Sequence, residues 1–357
     1  MSDTVADAGT SSAGTSSAGT NTADTNTAGA VLEGGVAMVV NPTKIADVDT
    51  LTDRLGVKCV ELGLPAPQIL LTSKDDPGLG QAREALAAGA GIVIAAGGDG
   101  TVRAVAEALV GTGVPLGVVP LGTGNLLARN LSIPIDAQQA IDVAFSGVDR
   151  TIDVGRLVDG TVFVVMAGAG FDAAMMREAP EGLKDKVGWP AYLVGGARSM
   201  RHDRVSVRMR LDGGPVIAGR VRTVLIGNMG KLQGGLELLP DARPDDGRLD
   251  VCLVAPRRAL DWVVLISRAV ARRHRPDHRM RTFTAQQVQV KLMRRQPRQV
   301  DGDLIASSKR LDVEVVPGAL VVRVPRDAEP SPDPDSGPGS PPEGASCASW
   351  SWSGFGY

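Results

Sequence analysis

Cysteine is scarce in this sequence: Cys59, Cys252 and Cys347 are the only ones, and their wide spacing matches no metal-binding or disulfide pattern. That scarcity excludes a disulfide-stapled secreted scaffold and points to a reducing cytoplasm, with thiols that are structural or incidental. Histidine is equally rare, and His202, His274 and His278 sit in arginine-rich stretches where no catalytic role is expected. No run approaches the roughly 18 continuous apolar residues of a membrane-spanning helix. The N-terminus lacks the basic segment followed by an apolar core that marks a signal peptide. The formal net charge is only −2, which removes any global electrostatic case for a nucleic-acid partner. The expectation is a cytoplasmic protein that meets a membrane, if at all, from the water side.

Apolar side chains are also missing from both ends. Residues 1–33 are dominated by Ser, Thr, Ala, Gly, Asn and Asp, with GTSSAGTSSAGT repeating, and residues 327–357 include EPSPDPDSGPGSPPEGAS. Such stretches cannot bury enough surface to offset their ordering entropy and are expected to be disordered tails.

Between the tails two patterns follow one another. Residues 34–150 alternate short apolar runs with helical patterns, the signature of a parallel α/β domain. Strands are expected at 36–40, 68–72, 91–96 and 115–119, and helices at 46–62, 80–88, 101–109 and 136–144. Residues 151–310 change to period-two alternation with turn dipeptides at Asp159-Gly160 and Gly213-Gly214, which predicts an antiparallel β domain of sandwich type. One helix is expected within it, over about 256–274. The runs LDVEVV and ALVVRV, within 311–326, read as closing strands that fit either domain.

The sharpest local feature is GGDGT at 97–101, where a strand ends and a helix begins at once. Glycines let the backbone approach a ligand, and the free N–H groups of a helix start favour phosphate. An ordinary strand-to-helix turn capped by Thr101 would look similar. A second loop, Pro120-Leu121-Gly122-Thr123-Gly124-Asn125, follows the next strand and also opens a helix. Two such loops after successive parallel strands sit side by side at the carboxyl edge of the sheet, where open α/β sheets bind ligands. Neither is a dinucleotide fingerprint or a Walker loop.

With these motifs the sequence resembles the diacylglycerol kinase and sphingosine kinase-like lipid kinases in their soluble bacterial form. The resemblance covers roughly 36–324: Asn41-Pro42, GGDGT and GTGN are followed in order by GAGFDA (168–173), KVGWPAYL (186–193), PDARPDDGRLDV (240–251) and VDGD (300–303). It implies an ATP-dependent kinase that phosphorylates a lipid hydroxyl, with diacylglycerol going to phosphatidic acid as the first expectation. A sphingoid base, ceramide or other lipid alcohol stays open, as do an NAD kinase-like enzyme and a catalytically impaired nucleotide-binding protein. It implies an active-site cleft between the two domains, with ATP and Mg2+ as cofactors.

The resemblance also implies roles at matched positions. Asn41, Thr43, Gly97, Gly98, Gly100, Thr101, Gly122, Thr123, Gly124 and Asn125 would hold ATP. Asp99 would organise magnesium, Asp301 would be the general base and Asp303 its support, and Asp153 would join the same metal network. Asp246, with backbone carbonyls near Arg243 and Arg248, would hold a structural magnesium, although Pro244-Asp245-Asp246-Gly247 also reads as a plain turn. Apart from the resemblance, the apolar residues around GAGFDAAMM, Phe171 among them, fit an acyl-chain pocket or the core, and Asp172 fits contact with a lipid head group. The sequence departs from the family at Thr43-Lys44, at Arg103-Ala104 in place of Asn-Glu, at Leu126 in place of an acidic residue, and at Asp303 in place of Glu.

The expected partners are a membrane lipid and, peripherally, an anionic membrane surface. Residues 256–281 join an apolar face with the clustered Arg257, Arg258, Arg268, Arg272, Arg273 and Arg275, which fits recruitment to anionic lipid and equally a helix packed on the β domain. A homodimer is compatible with the sequence.

Overall fold

In the computed structural model the described residues are 34–170, 204–232, 237–256, 261 and 280–328. The expected arginine-rich helix (apart from Asp261), Phe171, Asp172, KVGWPAYL and all three histidines lie outside them.

The N-terminal lobe follows the periodicity. Strands β1 (Gly35–Val40), β2 (Gln68–Leu71), β3 (Ala90–Gly97) and β4 (Leu116–Pro120) alternate with helices α1 (Val48–Glu61), α2 (Leu79–Ala87), α3 (Asp99–Leu109), α4 (Leu126–Asn130) and α5 (Ala137–Ser146). They pair in parallel in the order β2-β1-β3-β4. β1, β3 and β4 are buried almost throughout, as strands covered by helices on both faces must be. Asp47 and Asp136 cap α1 and α5 by accepting N–H bonds from Thr50 and Gln139, whereas α3 and α4 begin without a side-chain cap.

The C-terminal lobe is antiparallel. Its strands are β5 (Val148–Leu157), β6 (Val162–Phe163), β7 (Met166–Gly170), β8 (Val205–Leu211), β9 (Ile217–Val221), β10 (Thr223–Gly227), β11 (Leu249–Val254), β12 (Met280–Ala285), β13 (Gln287–Val300) and β14 (Asp303–Val324). The turns expected at Asp159-Gly160 and Gly213-Gly214 join β5 to β6 and β8 to β9. Its core, including Phe163, Met209, Ile226 and Val290, is distinct from that of the α/β lobe.

The two closing strands are one. β14 runs 22 residues, pairs with β13 and β5 in the second lobe, and meets β4 in parallel at Val322↔Leu116. Pro317-Gly318 reads as a break in sequence, but here it is an irregularity within the strand, between Val316 and Leu320, one of the few places a sheet tolerates proline. The hydrogen-bonded network therefore runs from lobe to lobe, and the expected boundary at residue 150 falls inside β5. β13 and β14 form a hairpin turning at Asp301-Gly302, which delivers this turn to the neighbourhood of α3.

Candidate active site

Two loops at the carboxyl ends of β3 and β4 form the floor. Leu121 N–H donates to Gly97 O at 2.8 Å, and the loops approach so closely that a methyl group on Gly122 would lie 2.7 Å from Gly98 Cα. Only glycine allows that approach. Asp99, at the first turn of α3, reaches across: its Oδ2 accepts Asn125 N–H at 2.9 Å and its Oδ1 accepts Leu126 N–H at 2.5 Å. A methyl on Gly124 would collide with that carboxylate. Burial pushes the Asp99 carboxyl upward, the two amides pull it back, and nearby Asp303 pushes it up again. Asn125, left-handed at φ 49°, closes the second loop on itself by accepting Gly122 N–H at 2.9 Å and donating to Gly122 O at 2.8 Å.

The other nucleotide candidates gather beside this floor. Asn41 follows β1, donates weakly to Thr101 Oγ1 at 3.4 Å and accepts both N–H and O–H of Thr43, at 3.0 and 2.8 Å. Thr101 is buried against Gly97, and Thr123 is exposed at the tip of the second loop. Lys44 lies over the first loop, its Cε 4.0 Å from where a Gly98 side chain would begin.

The β13–β14 turn forms the opposite wall. Asp303 Oδ2 would lie 3.0 Å from a methyl on Gly100, and Arg103 Nη2 donates to the same oxygen at 3.1 Å. Arg103 is also 3.8 Å from Glu107. The Asp303 side chain remains 46% exposed against 16% for Arg103. Arg103 Nε is buried with no partner among the described residues. In sequence Arg103 is only a departure from the family's Asn-Glu pair, and nothing there signals an ion pair with a residue 200 positions away.

Asp301 is placed differently from the role expected of it. It is 2% exposed, takes φ 45°, and its oxygens accept the N–H groups of Val164, Val165 and Met166, each at 2.8 Å. Its own N–H donates to Met166 O. Burial raises this carboxyl to about 6 against the opposing pull of the three amides. A carboxylate so occupied organises the link between β6 and β7 and has little left for an incoming hydroxyl.

Asp153 is 2% exposed. It accepts Gly318 N–H at 2.7 Å and Gly247 N–H at 2.6 Å, so it fastens the 244–247 turn to the irregularity in β14. Asp246 accepts Arg248 N–H at 2.9 Å within that turn, and burial raises its carboxyl. Arg243 and Arg248 flank it. Among the described residues no cluster of three acidic, histidine or cysteine side chains could hold a metal by itself.

Comparison with known proteins finds two family models matching in order along the chain. Residues 37–157 match the diacylglycerol kinase catalytic domain, and residues 165–324 match the YegS C-terminal NAD kinase beta sandwich-like domain. A "Probable lipid kinase YegS-like" protein of Klebsiella pneumoniae is 39% identical over 174 residues, 46% of this chain and 57% of the relative. One of Yersinia enterocolitica is 31% identical over 252 residues, 69% of this chain and 83% of the relative. The chain thus spans little more than half of the first relative and most of the second. A solved diacylglycerol kinase from Bacillus anthracis shares the fold, with a TM-score of 0.64 at 18% identity over 83% of this chain and 98% of that one. Two domain matches in order, together with the extent of the Yersinia match, mean that the chain belongs to the YegS-like branch of the diacylglycerol kinase family.

Proposed function

We propose that this chain is an ATP-dependent kinase that transfers phosphate to the hydroxyl of a membrane lipid, with diacylglycerol as the acceptor to test first. The observation that carries the proposal is the juxtaposition of the two glycine loops, locked by Asp99, with an exposed carboxylate on Asp303 facing Gly100. The uncapped first turn of α3 leaves backbone N–H groups for the phosphates of ATP. Asn41, Thr43, Lys44 and Thr123 surround that floor, close enough to contact the nucleotide.

In this reading Asp303, rather than Asp301, accepts the proton from the lipid hydroxyl. Phosphoryl transfer asks for positioning and charge neutralisation more than for a strong base, so a half-exposed aspartate suffices. Arg103 fixes its direction. Mg2+ suits the site only with ATP present, because Asp303 is a single hard-oxygen ligand and Asp99 is committed to amides; phosphate oxygens and water would complete the shell. When bound, the ion supplies neutralisation of the phosphate charge.

The test is transfer of labelled phosphate from ATP into a total lipid extract, with diacylglycerol, sphingosine and NAD as separate acceptors. Label in a lipid that disappears with Asp303→Asn is the expected outcome. No labelled lipid from any acceptor would refute the kinase reading. Full activity in Asp303→Asn would refute the assignment of the base.

A further inference from the structure

The outer face of the second lobe carries a charge pattern that the site does not use. Along β8 and β13 buried Val207, Met209, Val290 and Leu292 alternate with exposed residues. Register places exposed Arg310 of β14 opposite Lys291 of β13, and Lys291 opposite Arg208 of β8. Three cations thus lie in one row across three strands, with neighbouring strands about 4.8 Å apart. Arg210 follows on β8 and Arg220 on β9, both exposed on the same side. Like charges directly opposite one another destabilise a sheet.

The row has little internal compensation. Arg310 has Asp312 at 3.8 Å, while Arg208, Arg210 and Lys291 have no acidic partner within ion-pair distance among the described residues. The chain as a whole carries a formal charge of −2, so this is a local concentration rather than a basic protein. Met293, two residues beyond Lys291, is 57% exposed and continues the outward alternation.

We propose that this face of β8, β9, β13 and β14 is a docking surface for the anionic head groups of a phospholipid bilayer. Head-group phosphates would supply a counter-charge that the described residues do not. A broad pleated face suits a flat, laterally mobile array of phosphates, and an exposed methionine among cations suits the boundary between head groups and acyl chains. The proposal rests on the reading that the acceptor is a membrane lipid. Arg310 lies seven residues along β14 from Asp303, roughly 23 Å at strand rise, so the row is separate from the reacting groups.

The test uses the full chain with Arg208→Gln, Lys291→Gln and Arg310→Gln combined. Partitioning is measured by co-sedimentation with phosphatidylcholine vesicles and with vesicles half phosphatidylglycerol. The parent should prefer the anionic vesicles and lose that preference as salt rises. The triple variant should bind them about a hundredfold more weakly, since each basic residue near an anionic leaflet contributes about 1 kcal/mol. Its melting temperature should equal or exceed the parent's, because repulsion has been relieved, and its kinase activity on lipid in neutral detergent micelles should be unchanged. A variant retaining charge, with Arg208→Lys and Arg310→Lys, should bind like the parent. Equal binding by parent and triple variant overturns the proposal, as does a parent with no preference for anionic vesicles or one that binds duplex nucleic acid more tightly at the same salt. Absence of micelle activity in the parent instead refutes the kinase reading and leaves the vesicle result standing on its own.

Discussion

The floor and the opposite wall of the cleft both carry aspartates, and they use them in opposite proportions to what their motifs advertise. In the floor Asp99 sits inside the most conspicuous motif, yet both its oxygens hold the backbone of the neighbouring loop. In the wall two aspartates stand two residues apart on one turn. Asp301 is enclosed and bonded to three amides, while Asp303 is half exposed, with Arg103 on one oxygen and the first glycine loop beside it. Position in a motif therefore says less about chemistry than the occupancy of each oxygen. A buried carboxylate whose two oxygens both hold backbone amides acts first as structural cement, and a half-exposed one beside the glycine loops keeps acceptor positions open to a ligand.

That contrast is broken or sharpened by substituting the two wall aspartates separately. Asp303→Asn should lower kcat by about a thousandfold, in the range for loss of a positioned proton acceptor, without moving the melting temperature. Phosphate transfer and thermal unfolding on the same preparation check both halves. Asp301→Asn should reduce stability by about 2 kcal/mol, since its amide nitrogen cannot accept from a backbone donor left in a buried site. It should also change the response to pH. The folded carboxyl titrates near 6 and the free residue near 3.8, so the folded state holds this proton to higher pH than the unfolded state. The stability linked to it is greatest below about 4 and is lost as pH rises towards 6. Urea titrations across that window should show a falling contribution that the Asn variant lacks.

The first lobe was largely legible because its signals are local: buried apolar runs, helical periodicity, and glycines at the ends of β3 and β4. The second lobe was legible as antiparallel through its alternation and its Asp-Gly and Gly-Gly turns. What escaped depends on contacts distant in sequence. The bonds from Asp99 to Asn125 and Leu126 require the two loops to be neighbours. Asp153 finds Gly247 and Gly318 from opposite directions along the chain. The runs LDVEVV and ALVVRV read as two strands, but β5 pairs with β14 on both sides of Pro317-Gly318 and makes them one. Asp301 and Asp303 were both visible as candidates. Their difference in burial is not encoded by a four-residue motif.

The floor offers a smaller test of the same idea. Gly122→Ala should raise KM for ATP about tenfold, because the added methyl would lie 2.7 Å from Gly98 Cα and force apart two loops that must present one surface; overpacking of this kind typically costs about 1–3 kcal/mol. The effect on kcat should be smaller, since Asp303 and Arg103 lie on the other wall. Steady-state kinetics with ATP varied at saturating lipid separates the two parameters. An unchanged KM would mean that the loops bind nucleotide without needing this contact.

An effect of about the same size resolves the wall most finely. Arg103 orients Asp303 through a single bond of 3.1 Å, so its loss should misdirect the carboxylate without removing it. Arg103→Ala should lower kcat by about tenfold, the size of one charge-assisted hydrogen bond, and Arg103→Lys should restore part of it. The decisive measurement is the double variant with Asp303→Asn. If Arg103 acts through Asp303, the second substitution adds nothing to the loss from the first, because groups in one network are not additive. If the two losses multiply instead, Arg103 works on the phosphates directly, and its unpartnered Nε becomes the donor that reaches them.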